Sequence, residues 1–146
     1  KEILTTMAEK LCFYLRNGNK VTSCVTVTVR YSDFDTRTRQ ERIEYTSCDH
    51  TLIQTTQNLF DKLYDRRVLC RLAGVRFSHL VEGGHQINIF DDSEEKIKLY
   101  QAMDKIRNKY GQDAVQRAVA MDKTGIGQMD NPFNGQKSFV PAHRRA

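Results

Sequence analysis

No stretch of this 146-residue chain is apolar for long enough to cross a bilayer, and no cleavable leader pattern opens it. Both absences set the expectation of a cytosolic protein without a membrane partner. The four cysteines, Cys12, Cys24, Cys48 and Cys70, contain no Cys-x-x-Cys pair and are irregularly spaced. They read as reduced, mostly buried thiols rather than zinc ligands or disulfide halves. The histidines His50, His79, His85 and His143 are scattered without metal-ligand spacing, and His79 is expected to face the core. Asp33 and Asp35 have the close spacing of a metal-binding pair, but they sit in a turn-like segment next to arginines, where a turn role is the simpler reading. Glycine-rich phosphate loops, nucleophile elbows and zinc motifs are missing. The sequence therefore offers no catalytic residue and no metal site, and an enzyme acting alone is not supported.

What is present is one modest domain's worth of core and an excess of positive charge. Hydrophobic residues make up 39% of the chain, enough for a single core, and the net charge of +5 tolerates a polyanionic partner without demanding one. The charge is unevenly placed. Arg66, Arg67, Arg71 and Arg76 follow one another with no acidic residue between Arg66 and His79.

Periodicity divides the chain into elements. Leu4, Met7, Ala8, Leu11, Cys12 and Leu15 form one stripe of a helix over residues 2–16, stopped by Asn17, Gly18 and Asn19. Residues 20–31 switch to a period of two. Val21, Val25, Val27, Val29 and Tyr31 line one face of a strand, and Thr22, Cys24, Thr26, Thr28 and Arg30 line the other. A turn at residues 32–36 leads to a polar strand over residues 37–46, with Ile43 and Tyr45 as its core residues. Asp49 is a plausible N-cap for a helix over residues 50–65, whose stripe is Leu52, Ile53, Thr56, Leu59, Phe60 and Leu63. Residues 74–81 read as a third strand, with Val75, Phe77 and Val81 on one side and Arg76 and Ser78 on the other. Gln86, Ile87, Asn88, Ile89 and Phe90 then form a short run that is either one more strand or an exposed peptide offered to a partner. Asp92 and Glu95 make a capping-box-like start to a third helix carrying Ile97, Tyr100, Met103, Ile106 and Tyr110. Residues 114–121 are of undecided type, and glycine and proline among polar residues beyond position 122 predict a flexible tail.

This order predicts an α+β fold, an antiparallel sheet with two helices on one face, plus a C-terminal helix. The sheet's other face is then free, and it collects Thr22, Thr26, Thr28, Arg30, Arg76, Ser78 and polar residues of the second strand. Hydroxyls and guanidinium groups are donors for phosphate oxygens, although an ordinary solvated face has the same composition.

The strand from Val21 to Arg30, the turn from Asp33 to Arg39, the helix from His50 and the run Arg71-Leu72-Ala73-Gly74-Val75-Arg76-Phe77-Ser78 together resemble the C-terminal little-finger domain of bacterial Y-family translesion DNA polymerases of the polymerase IV type. The resemblance covers roughly residues 2 to 90. It implies a DNA-holding domain over residues 1–85 that lacks the family's usual first strand, with the metal-binding carboxylates, and hence Mg2+, belonging to a palm domain outside this chain. It implies no cofactor within the chain itself. Primer–template DNA is the implied partner, bound without sequence reading through Thr28, Arg30, Thr36, Arg37, Thr38, Arg39, Arg71, Arg76 and Ser78. In such proteins a peptide of the type Gln-Leu-x-Leu-Phe docks in a pocket of the bacterial sliding clamp. Gln86, Ile87, Ile89 and Phe90 fit that pattern, which makes residues 86–90 a clamp-binding peptide rather than a final edge strand. Residues 91–121 form a helical extension whose Met103-Asp104-Lys105-Ile106-Arg107-Asn108-Lys109-Tyr110-Gly111 resembles that of the UmuC-like branch, and residues 122–146 form the tail. The competing expectation is a free-standing protein-interaction module, recruited through its third helix and tail.

Overall fold

A computed structural model describes residues 1–66, 68–83 and 94–118. Within them the chain runs α1 (Glu2–Asn17), β1 (Lys20–Tyr31), β2 (Thr36–Thr46), α2 (Asp49–Leu63), β3 (Cys70–Glu82), α3 (Glu94–Tyr110) and a short 3-10 turn (Gln112–Ala114). The three strands form one antiparallel sheet in the order β2-β1-β3. This is the expected α+β architecture.

α1 forms because its small and apolar residues recur every three to four positions. Leu4, Ala8, Cys12 and Leu15 are buried on the stripe. The helix stops where Gly18 N–H donates back to the Tyr14 carbonyl, and the left-handed residue that redirects the chain is Asn19, at φ +48, rather than Gly18. α2 buries Leu52, Ile53, Thr56, Leu59 and Leu63. Both helices lie over the valine face of β1, so Cys12 and Leu15 of α1 and Leu52, Leu59 and Leu63 of α2 share one cluster with Val25, Val27, Val29 and Tyr31. Each such aliphatic side chain contributes roughly 1.5–3 kcal/mol on burial, which makes this cluster the main source of cohesion.

Several expectations are corrected. Asp49 is not the N-cap of α2 but its first residue; Cys48 holds the cap position, and the Asp49 carboxylate accepts from the Arg16 guanidinium of α1. His79 is exposed, with a positive φ of 53°, so it does not face the core. Val81, near the end of β3, which is an outer strand of the sheet among the described residues, is 46% exposed. Tyr45 is exposed as well. β2 carries two more residues than β1 between the pairs Thr22↔Thr46 and Cys24↔Arg42, which breaks the alternation at its end.

α3 is the largest departure. Its apolar stripe predicts a buried face of Ile97, Tyr100, Met103, Ile106 and Tyr110, yet Ile106 and Tyr110 are exposed, and the residues buried beside Tyr100 are Asp104 and Arg107. The reason is an ion-paired cluster. Arg16 donates from Nε and Nη2 to the Asp104 carboxylate, at 2.5 and 2.9 Å, and from Nη1 to the Ser47 carbonyl and to Asp49, while stacking over the Tyr100 ring. A second cluster joins Glu9 of α1 to Arg107, at 4.0 Å, and to Arg117, at 2.5 Å, and Arg107 also donates to the Val115 carbonyl. Burial raises the carboxyl of Glu9 above its ordinary range, with the two arginines pulling the other way, and it pushes Tyr100 up to about 12. The Met103–Gly111 run singled out in the sequence thus supplies Asp104 and Arg107 as contacts of the extension with α1.

Candidate nucleic-acid interface

The sheet face turned away from the helices follows from the pairing register. Directly opposed residues of neighbouring strands point to the same side, and alternate residues along a strand do so too. Thr28 is opposite Thr38 and Gly74; Arg30 opposite Thr36 and Leu72; Thr26 opposite Gln40 and Arg76; Cys24 opposite Arg42 and Ser78. The open face is therefore Thr26, Thr28 and Arg30 in the middle, flanked by Thr36, Thr38, Gln40 and Arg42 on β2 and by Leu72, Gly74, Arg76 and Ser78 on β3. Cys24 has the same parity but is buried; Thr22, expected on this face, is buried too and donates its hydroxyl to the Ser78 carbonyl at 2.7 Å.

Local contacts order this face without neutralising it. Thr28 and Thr38 share a hydroxyl hydrogen bond of 3.1 Å, and Arg30 Nε donates to the Thr36 hydroxyl at 2.8 Å. Arg30, Arg42 and Arg76 are exposed, and among the described residues none of them makes an ion pair. None of the opposed positions from Cys24 to Arg30, nor their partners on this face, is acidic. Gly74 lies on the flanking strand β3, opposite Thr28. A Cβ built there meets nothing within 4 Å, so packing does not require glycine at this position. A strand glycine with open space above it lets another backbone come close.

Of the residues expected at a DNA interface, the structure brings together Thr28, Arg30, Thr36, Thr38, Arg76 and Ser78. It places the remaining three elsewhere. Arg37 is opposite Val29 and Arg39 opposite Val27, so both belong to the helix side. Arg37 spans the Asp65 carboxylate, at 2.9 and 3.0 Å, and Asp35, at 3.1 Å, while Arg39 donates to the Lys62 carbonyl in the last turn of α2. Arg71 falls at the register shift where β3 steps from Leu72 to Cys70 as β1 steps from Arg30 to Tyr31, and its guanidinium lies 4.7 Å from the centroid of the Phe34 ring. The expectation had grouped four consecutive residues, Thr36 to Arg39, whereas strand geometry divides them between two faces. Carrying the alternation on from Thr36 and Thr38 singles out Gln40 among the polar residues expected on this face and adds Arg42, which the sequence reading does not include.

Asp33 and Asp35 do serve the turn. Asp33 Oδ1 accepts from the Asp35 N–H at 3.1 Å, and Arg66 Nη1 reaches both carboxylates, at 3.1 and 3.2 Å. Among the described residues no group of acidic, cysteine or histidine side chains could hold a metal ion. Cys12, Cys24, Cys48 and Cys70 are free thiols, and only Cys70 is exposed; burial raises Cys12 well above the ordinary thiol range. Among the described residues no helix is long and apolar enough to cross a membrane. Gln86, Ile87, Ile89 and Phe90, with the whole of residues 84–93, lie outside the described residues, as does the expected tail.

Comparison with known proteins gives two findings. Residues 1–89 match the family described as the impB/mucB/samB family C-terminal domain. Among similar proteins, a DNA polymerase IV of Clostridium acetobutylicum is 33% identical over 127 residues, covering 84% of this chain and 32% of that protein. DNA polymerase IV 2 of Bacillus subtilis is 32% identical over 130 residues, 86% of this chain and 31% of its own length. A DNA polymerase IV of Dehalococcoides mccartyi is 34% identical over 115 residues, or 77% and 30%. The chain spans about a third of the length of these relatives.

Proposed function

The chain belongs to the impB/mucB/samB C-terminal domain family, and from that premise we propose that it is the duplex-holding part of a translesion DNA polymerase. The open face of the sheet lies against the phosphates of primer–template DNA. One observation carries this reading: a face with three exposed arginines, no acidic partner for them among the described residues, and a glycine on β3 above which there is open space. Arg30, Arg42 and Arg76 meet phosphates as charges, Thr26, Thr28, Thr38, Gln40 and Ser78 as hydrogen-bonding groups, and Gly74 allows the nucleic-acid backbone to approach the sheet. Such contacts hold without reading sequence. Polymerisation itself, with its Mg2+, belongs to a palm domain.

The test is binding of a primer–template oligonucleotide as salt is raised. Affinity should fall steeply and linearly on logarithmic axes, with little dependence on base sequence. Absence of binding at low salt sinks the reading.

Gln86, Ile87, Ile89 and Phe90 are proposed, on the pattern of the peptide alone, as the tether to the bacterial sliding clamp. Phe90 and Ile89 fill an apolar pocket, and Gln86 bonds at its mouth. Phe90→Ala should abolish clamp binding in a pull-down and leave DNA affinity unchanged. Clamp binding that survives the change removes the assignment.

A further inference from the structure

The tip of the β1–β2 hairpin holds a side chain that the phosphate-holding face does not use. Phe34 is 64% exposed, and its backbone sits at φ +66, a conformation disfavoured for any residue with a Cβ and unusual for an aromatic one. The turn is held there from every side. Phe34 N–H donates to the Tyr31 carbonyl at 3.1 Å, Tyr31 N–H to the Asp35 carbonyl at 2.9 Å, and Ser32 N–H to the Leu69 carbonyl at 2.9 Å. Arg66 and Arg37 bind the two carboxylates beneath it. A turn made this rigid projects the ring outward, where no burial repays the backbone conformation; strain retained in this way is a mark of use rather than of packing.

The surroundings of the ring identify its ligand. Arg71, re-aimed by the register shift in β3, lies over the ring at 4.7 Å, and the residue remains mostly open to solvent. Leu69, at 82% exposure, flanks the turn, and Leu72 opposite Arg30 continues the apolar surface onto the open face. Asp33, Asp35 and Asp65 share Arg66 and Arg37, and Arg71 beside the ring brings the charges about the tip into balance. An exposed aromatic ring backed by a guanidinium, at the end of a basic face, suits a flat heteroaromatic group attached to a phosphate.

We propose that Phe34 and Arg71 form a stacking site for an unpaired nucleobase, so that the hairpin tip engages the single-stranded part of the DNA whose duplex part lies on the sheet. The base stacks on the ring, and Arg71 and Arg30 meet its flanking phosphates; stacking of this kind tolerates any base. The inference rests on the reading of the open face as a DNA surface.

The experiment compares a blunt duplex with the same duplex bearing a single-stranded 5′ overhang, each bound to the full chain. The overhang should tighten binding. Phe34→Gly suits the left-handed backbone and should fold at least as well, checked by thermal melting. It should lose the overhang's gain, about fivefold or more, while blunt-duplex affinity stays the same. The chain contains no tryptophan, so Phe34→Trp places a single reporter at the tip. Its emission should be quenched by the overhang substrate and not by the blunt one. A Phe34→Gly chain that keeps the gain, or a tryptophan indifferent to the overhang, overturns the stacking site, and an apolar protein partner then becomes the better occupant of the tip. Failure of the blunt duplex to bind at low salt overturns the DNA surface instead, with overhang quenching still deciding the tip.

Discussion

Arginines stand on both sides of the same three-stranded sheet, and their surroundings differ. On the helix side Arg16 is held by Asp49 and Asp104, Arg37 by Asp65 and Asp35, and Arg39 by the Lys62 carbonyl. On the open side Arg30, Arg42 and Arg76 have no acidic partner among the described residues. Positive charge that is paired holds elements together, and positive charge left facing solvent is available to a polyanion. Net charge, which counts both kinds alike, is a poor guide to where a ligand binds.

The contrast is broken most severely at Arg16. Replacing it with methionine leaves Asp49, whose side chain is fully buried, and Asp104 without their cation. A loss of about 3–5 kcal/mol is expected from the urea midpoint, the usual cost of removing one member of a buried pair. DNA affinity of the folded fraction should not change, since Arg16 is remote from the open face.

Charge reversal on the two faces should then give opposite profiles. Arg42→Glu with Arg76→Glu is expected to weaken primer–template binding by more than tenfold and to flatten its salt dependence, while moving stability by no more than about 0.5 kcal/mol. Arg37→Glu with Arg39→Glu should chiefly lower stability, because Asp65, Asp35 and the C-terminal turn of α2 then meet negative charge. If the second pair weakens DNA binding as much as the first, the division of the sheet into two faces does not describe the interface.

Gly74→Val is a subtler test. A Cβ added there meets nothing within 4 Å and valine suits a strand, so melting temperature should stay level or rise slightly. DNA affinity should fall a few-fold as the approach to the sheet is blocked. Unchanged affinity would separate Gly74 from the interface.

The smallest effect concerns pH. Burial lifts the Glu9 carboxyl above its ordinary 4.5, so the folded chain holds that proton more tightly than the unfolded one. The corresponding stability is full below the unfolded value and is lost as pH rises through the raised one. Melting temperature followed upward from about pH 4.5 should show this decline, and Glu9→Gln should remove it. A decline that persists in the Gln variant belongs to another group.

Much of this was legible in the residues. The stripes of α1 and α2 and the alternation of β1 from Val25 to Tyr31 are each dominated by one period, so pattern and burial agree there, whereas Thr22 and Cys24, beside the register shift, are buried against the pattern. β2 was harder, because a run as polar as Thr36 to Arg42 has no apolar phase to show which residues face the helices; only its register with Val27 and Val29 does. α3 misled for the opposite reason. Its apolar spacing was clear, but Arg16 and Glu9 of α1 draw Asp104 and Arg107 inward and leave Ile106 and Tyr110 outside.

Local pattern by itself determined the helix–strand–strand–helix–strand order and the family resemblance, because periodicity and turn residues act between near neighbours. Tertiary structure decided which arginines are engaged and which are open. Ion pairs form between residues such as Arg16 and Asp104, 88 positions apart, and no spacing along the chain reports a partner that distant.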